Sequence, residues 1–328
     1  MISIIIPAYN AAETLPACLE ALNKQTQPPD EILVVDDGSQ DQTIQVAREY
    51  GVQLLEQPHQ GPAAARNLGI NQACGDIVLF TDADCEPVPN WVSEMLYPFS
   101  DQRVVGVKGS YRTNQQEAVA RLVQCEFEER YDQLGQFETI DFIDTNAAAF
   151  RLNVLKEMGG FDPAFPKADN EDVDLSYRMA RSGCKMMFNR KAIVYHRHPN
   201  TWSAYLGLKI KRGYWRMMVY RLHPNKAVHD SYTPQLLKVQ ILLMYLVMGL
   251  TGLAFVFSPL AWGALAALIC LQLSAIPFVR RATHLDSTLL VAGFFFIFLR
   301  AFAFSIGVAG GVLGMFFFHP VLPRKKEG

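Results

Sequence analysis

The sequence predicts an α/β fold, a mostly parallel sheet covered by helices on both faces, followed by a tail of membrane-spanning helices. Three observations predict it. Short apolar runs alternate with helix-spaced segments up to about residue 110, Asp- and Gly-bearing turns follow those runs, and from Leu236 onward the chain becomes long apolar stretches.

The strands come first. Ile2 to Ile6, Ile32 to Val35 and Asp76 to Phe80 read as buried strands, with Val52 to Leu55 and Val104 to Val107 as companions. Between them Ala12 to Lys24, Asp41 to Tyr50 and Pro62 to Ala73 have helical spacing, and Pro62 and Pro89 suit the first turn of a helix. On such sheets ligands bind beyond the carboxyl ends of the strands. Pro7-Ala8-Tyr9-Asn10 closes the first strand, Asp36-Asp37-Gly38-Ser39 the second and Asp82-Ala83-Asp84 the strand from Asp76, all on one edge. Loops also carry Asp, Gly and Ser simply to turn or to cap a helix. Three carboxylate-bearing strand ends together ask for more, because like charges repel unless a cation is shared.

Charge divides the chain in two. The 328 residues have a net charge of −2, yet residues 1–184 hold 29 Asp and Glu against 13 Lys and Arg, and residues 185–328 hold 3 against 17. The acidic front excludes nucleic acid as its partner, since phosphate binding needs Lys and Arg in numbers, and it suits a metal.

The tail has apolar stretches at about 236–257 and 259–279, then a run from Leu289 to Phe318 broken only by Arg300. An Arg at mid-bilayer costs roughly 2.5–3.5 kcal/mol and each Leu, Ile, Phe or Val returns about 0.3–0.6. The apolar neighbours win, with Arg300 facing other helices or snorkelling to an interface, or else splitting the run into two half-helices. Three or four spans result. Met1-Ile2-Ser3-Ile4 has no basic region before it, so no cleavable signal is expected. Residues 185–238 carry 11 Lys and Arg and one acid, Asp230, an excess that marks the cytoplasmic side. These features predict a multi-pass protein of the cytoplasmic membrane with its front domain in the cytosol. The six cysteines form no CxxC pair and read as reduced core residues.

IIIPAYN at 4–10, VVDDGS at 34–39, GPAAARNLGI at 61–70, FTDADC at 80–85 and NEDVDLSYRM at 170–179 resemble the motif series of family 2 inverting glycosyltransferases, in the family's order. The resemblance implies a GT-A domain, Rossmann-like with a mostly parallel sheet, over residues 1–200. An amphipathic interfacial segment follows over 201–233 and transmembrane helices over 234–320. It also implies a nucleotide-sugar donor, with UDP as the default, and a divalent cation, Mg²⁺ or Mn²⁺, which takes oxygen ligands from carboxylates and phosphates.

On these motifs the resemblance makes Asp84 the metal ligand. It puts Asp82 on the ribose or a metal-bound water, and Glu86 completes the shell. Pro7, Ala8, Tyr9 and Asn10 lie at the nucleoside, where Ala8 and Tyr9 line the base. Asp36 accepts from a base NH, and Asp37 stabilises the turn or reaches the ribose. Arg66, the lone cation of its Ala-rich helix, suits phosphate or base contacts. Asp172, with Glu171 beside it, is the base that takes the acceptor proton. A helix N-terminus weakens a base, whereas Glu171, Asp174 and burial strengthen it. Asn170 or Asp169 is the expected N-cap. His196-Arg197-His198 closes the domain, and His196 can ligate the metal or end as a solvated strand terminus.

Residues 201–222 interleave Trp, Tyr, Leu and Met with Lys and Arg, as in a helix lying in the membrane interface or one gripping an anionic headgroup. Lys211-Arg212-Gly213-Tyr214-Trp215 lacks the Gln of the processive-synthase signature, so polymerisation is not supported. The expected activity is inverting, metal-dependent transfer of one sugar to a membrane-associated, lipid-linked acceptor in envelope polysaccharide or glycan synthesis. The alternatives are a polyprenyl-phosphate glycosyltransferase, whose acceptor is already anionic and needs no base, and a catalytically silent, membrane-anchored nucleotide-sugar-binding partner.

Overall fold

The computed structural model describes residues 1–165 and 170–317. One eight-stranded sheet runs through the front of the molecule. Its strands are β1 (Ile2–Ala8), β2 (Glu31–Asp36), β3 (Gln53–Glu56), β4 (Ile77–Phe80), β5 (Cys85–Pro87), β6 (Val104–Arg112), β7 (Ala148–Arg151) and β8 (Lys185–His196), in the order β3-β2-β1-β4-β7-β6-β8-β5. The half formed by β3, β2, β1 and β4 is parallel; β7 runs antiparallel to both β4 and β6, and β5 antiparallel to β8. Ile4, Ile5 and Ile6 of β1 are all fully buried, the mark of a strand covered on both faces. Helices α1 (Leu15–Asn23), α2 (Thr43–Glu49), α3 (Pro62–Gln72), α4 (Trp91–Leu96), α5 (Ala118–Leu134), α6 (Leu152–Glu157) and α7 (Glu171–Arg181) supply that cover. Gly69 lets α3 lie close on β1, since a Cβ there would meet Ile5 Cγ2 at 2.6 Å.

Most predicted elements are present, and the differences are local. Pro62 begins α3 as expected, but Pro89 precedes Asn90, the residue before α4, and so lies outside the helix. Cys85–Pro87 is a strand because it can pair with the end of β8, a long-range contact that three residues do not announce. Asn170 precedes α7 in a left-handed conformation, φ 69°, and its side chain caps nothing; Asp169 lies outside the described residues.

The rest of the chain is helical. α8 (Trp202–Leu222) is followed by α9 (Gln235–Ala254), α10 (Leu260–Ser274), α11 (Ile276–Leu285) and α12 (Leu289–Phe317). α9 and α12 are each long and apolar enough to cross a membrane. The stretch 259–279 is not one straight helix: it covers α10 and the start of α11, which are bent by 42° at their junction, so the described candidate spans number two or three. Arg300 does not split its run either. It is buried within a continuous α12, where its Nη2 donates to Gln240 Oε1 of α9 at 2.8 Å and its Nη1 lies 3.7 Å from Glu129 and 3.9 Å from Glu126 of α5. The basic tail Arg324-Lys325-Lys326 lies outside the described residues.

α8 packs along α12 at very close range. A Cβ on Gly307 would meet Ile210 O at 2.1 Å, so only a residue without one allows this approach. The polar side of α8 faces the front domain: Lys209, 2% exposed, reaches Glu126 at 2.8 Å. The helix expected to lie in the membrane interface or to grip an anionic headgroup joins the sheet domain to the apolar helices.

Candidate active site

The loops after β1, β2 and β4 and the start of α7 meet on one edge of the sheet, as the parallel order of β2, β1 and β4 requires. At the end of β2, Asp36 Oδ2 accepts from the backbone N–H groups of Gly38 and Ser39 at 3.1 and 3.0 Å. Its Oδ1 is buried with no hydrogen-bond partner among the described residues, an acceptor free to take a donor. Asp37 is used differently. Its carboxylate accepts from Gln57 Nε2, Gln60 N and Gly61 N at 2.6, 2.9 and 2.8 Å, with His59 Nδ1 at 2.9 Å, which holds the loop before α3. Tyr9 stacks on His59 with ring centroids 4.2 Å apart and remains half-exposed. Pro7 and Ala8 complete β1, and Asn10, φ 50°, donates its N–H to Ser39 Oγ and accepts from Gln40 N.

Arg66 of α3 is the keystone between two motifs. It is 3% exposed, donates from Nη1 to Glu171 Oε1 at 2.7 Å and from Nη2 to Asp82 Oδ1 at 3.1 Å. Its Nε and Glu171 Oε2 have no hydrogen-bond partner among the described residues. A guanidinium fork suits two carboxylates better than an ammonium does.

Beside this brace, His196 Nε2 at the end of β8 lies 3.6 Å from Asp84 Oδ2. Asp84, Cys85 and His196 each offer a ligand atom within 4.8 Å of the others. Burial, with Asp82 near, pushes the Asp84 carboxyl up while His196 acts against it. The Cys85 thiol is pushed well above its ordinary value by burial and then by Asp82, so it stays protonated and a poor partner for a hard cation. A carboxylate and an imidazole on a half-exposed edge, with Asp82 two residues away, form a donor set that fits Mn²⁺ or Mg²⁺. Glu86 sits on β5 with its side chain exposed and outside this group. Behind His196, His198 is driven down to about 3 by burial and by His196, and its Nε2 pairs with Gln124 Oε1 at 2.9 Å.

Asp82, Glu171, Asp172 and His196 line one cavity of about 230 Å³ together with Arg66. Burial raises the Asp172 carboxyl to about 7, helped by Glu171 and Asp144 and opposed by Arg66. Asp174 is turned to Arg178 at 2.8 Å and His223 at 2.9 Å. The helix N-terminus does supply Val173 N–H to Asp172 Oδ1 at 2.7 Å, but burial outweighs it. A carboxylate poised near neutrality can take a proton from a hydroxyl.

The sequence profile described as Glycosyl transferase family 2 matches residues 3–159, which include Asp36, Arg66, Asp82 and Asp84. Glycosyltransferase AglE of Haloferax volcanii is 32% identical over 209 residues, 60% of this chain and 66% of that one. This chain belongs to glycosyltransferase family 2. Its family 2 relatives also include the O-antigen chain rhamnosyltransferase RfbN of Salmonella typhimurium, 27% identical over 224 residues, 61% of this chain and 67% of that one. The pre-mycofactocin glycosyltransferase of Mycobacterium tuberculosis is 27% identical over 238 residues, 69% of this chain but 49% of that protein. The chain therefore spans from about half to about two thirds of the length of these curated relatives. Among solved structures, the mannosyltransferase PcManGT from Pyrobaculum calidifontis, in complex with GDP-Man and Mn²⁺, aligns with a TM-score of 0.63 at 18% identity, covering 95% of this chain and 86% of that one. The shared fold is GT-A-like, a mixed and mostly parallel sheet followed by C-terminal helices.

Around the family 2 motifs the structure adds residues that motif reading passed over. Lys108 of β6 is fully buried beneath the cavity and ion-paired to Asp144, with its Nζ 4.9 Å from the Tyr111 ring centre. A single Lys in the apolar run Val104-Val105-Gly106-Val107-Lys108 was the available signal. Arg130 of α5, Arg212 and Arg216 of α8, Tyr232, and Phe304 of α12 also line the site. No local pattern ties these to the edge of the sheet, because tertiary packing alone brings α8 and α12 there.

Proposed function

We propose that this protein is an inverting, divalent-cation-dependent glycosyltransferase that moves one sugar from a nucleotide-sugar to a lipid-linked acceptor at the membrane. The observation that carries the reading is Asp172, its carboxyl raised to about 7, opening on the same cavity as Asp82. The acceptor hydroxyl gives its proton to the Asp172 carboxylate as its oxygen forms a bond to the anomeric carbon. The bond from that carbon to the diphosphate breaks, and the nucleoside diphosphate leaves with the electron pair. Attack from the face opposite the leaving group inverts the configuration. Asp36 Oδ1 accepts from the base, Tyr9 lies against it, and Arg66 holds Asp82 and Glu171 in place. Asp84 and His196, with Asp82, would hold the cation, which would neutralise the diphosphate. A phosphate acceptor would not need a base, so the raised carboxyl of Asp172 favours a hydroxyl.

The membrane setting is supported by α12, whose Phe304 lines the cavity, and by the two or three candidate spans. The basic flank of α8 and α9 supports a site on the cytosolic face of the cytoplasmic membrane. The homology to O-antigen and archaeal glycosyltransferases agrees with a role in envelope polysaccharide or glycan synthesis. A thermal-shift panel of UDP-, GDP- and dTDP-sugars with and without Mn²⁺ tests the donor site. A metal-dependent shift with one nucleotide, absent in Asp84→Ala, is expected. A shift that is the same without metal or in the variant would remove the cation from the reading.

A further inference from the structure

A second cavity of about 360 Å³ runs between α8, α9 and α12, within the size range of sites for small molecules. It and the active-site cavity share Arg130, Arg216, Tyr232 and Phe304 as a common wall. Helical spacing explains its lining: Gly213 and Met217 of α8, Leu237 and Ile241 of α9, and Phe304 and Val308 of α12 are each four residues apart, so each pair lies on one helix face. The chamber is therefore apolar along its length and cationic where it meets the chemistry.

The cations at and beside that junction differ in how they are neutralised. Arg130 donates to Glu126 at 2.7 Å. Arg212 and Arg216, among the described residues, have no carboxylate within salt-bridge distance; Arg216 Nη1 donates to the Tyr177 hydroxyl at 3.3 Å, and its guanidinium carbon lies 6.0 Å from the Tyr220 and Phe142 ring centres. Arg216, half-buried between the polar cavity and the apolar one with Asp230 acting on it at longer range, and Arg212 on the polar side, each without a directly paired carboxylate among the described residues, match an anion that carries a hydrocarbon chain.

We propose that the chamber between α8, α9 and α12 holds the hydrocarbon chain of the acceptor, with the acceptor's phosphate group at Arg212 and Arg216 and its hydroxyl directed to Asp172. This rests on the lipid-linked reading of the acceptor and adds to it the chemical class, a single-chain lipid phosphate, and the place where the chain lies. The two candidate spans that wall the chamber, α9 and α12, are the elements a lipid chain would meet first in a bilayer.

The test uses the full chain in phosphatidylcholine nanodiscs and a benzophenone-bearing geranyl phosphate as probe, with cross-links mapped by mass spectrometry. Cross-links on the chamber faces of α9 and α12 are expected, competed by farnesyl phosphate and not by farnesol or inorganic phosphate. Val308→Trp and Ile241→Trp, which fill the chamber from two sides, should lower the yield, and Arg216→Gln should weaken competition by farnesyl phosphate about tenfold. Equal competition by farnesol, or a yield unchanged in both Trp variants, overturns the proposal. Nucleotide and Mn²⁺ binding is measured on the same samples. Nucleotide binding without the cross-link sinks the chamber alone, whereas the cross-link without nucleotide binding sinks the donor-site reading and leaves the chamber standing.

Discussion

Arg66 Nη1 donates to Glu171 Oε1 across 2.7 Å, joining residues 105 positions apart in a pair of which neither side chain is more than 3% exposed. The pair ties the motif on α3 to the motif on α7, and the same guanidinium holds Asp82 at 3.1 Å. The α3 and α7 sides of the cavity are thereby fixed relative to each other.

Breaking this brace leaves the Glu171 carboxylate buried without its cation. Removing one partner of a buried pair costs about 3–5 kcal/mol, so Arg66→Gln should lower the midpoint of thermal unfolding markedly. Arg66 also acts to lower the Asp172 carboxyl, and its loss should move the acidic limb of the rate profile to higher pH. A variant with wild-type stability and an unmoved limb would show that the pair is ornamental.

The pH dependence of transfer has a definite sign. Asp172 must be ionised to accept a proton, and its carboxyl is raised to about 7 by burial, Glu171 and Asp144. Activity should therefore fall as pH drops through about 7, with the limb in kcat/KM reporting the free enzyme. Asp172→Asn should keep donor binding by thermal shift and lose transfer by a factor on the order of 10²–10⁴, the usual contribution of a general base. Full turnover by this variant would remove Asp172 from the mechanism.

Asp172 should also be a cost to the fold. Its carboxyl is higher in the folded state, about 7, than in an unfolded chain, about 3.9. The folded state then binds the extra proton, so stability falls as pH rises from about 4 to 7 and levels off above. Asn cannot ionise. In the absence of donor and metal, Asp172→Asn should be more stable than wild type by roughly 1–3 kcal/mol at pH 8, with the gain shrinking toward pH 4. Unfolding curves of both proteins at pH 5 and pH 8 decide it; an equal difference at both would mean that burial does not raise this carboxyl.

The parallel half of the sheet and its polar edge were legible in the sequence because β1, β2 and β4 are continuous apolar runs ending in Asp or Asn. That edge follows from strand direction alone. The strap β5 and the antiparallel β7 were not, since three or four residues carry no period and their pairing is settled by β8 and β4. The raised carboxyl of Asp172 was expected from Glu171, Asp174 and burial, but one of its causes, Asp144, lies 28 residues earlier and reaches it only through the fold. Likewise Arg300 was expected to face other helices, to snorkel to an interface or to split its run, and its carboxylate partners on α5 belong to the front domain and have no signature in the tail.

Those partners lead to the last prediction. Glu126, 2% exposed, accepts from Arg130 at 2.7 Å and Lys209 at 2.8 Å, with Arg300 3.9 Å away, so one carboxylate from α5 serves cations of α5, α8 and α12. Burial acts to raise its carboxyl, yet Lys209, Arg130 and Arg300 together hold it well below the usual carboxylate range. Glu126→Gln removes the shared charge and leaves three buried cations together, and should destabilise by about 3–5 kcal/mol. Adding Arg300→Met, which deletes one of those cations among apolar neighbours, should recover part of the loss, so the double variant is more stable than the sum of the single changes predicts. Thermal unfolding of the four proteins in one detergent gives the coupling directly. Simple additivity would mean that α12 is held to the front domain by packing along α8 rather than by this charge cluster.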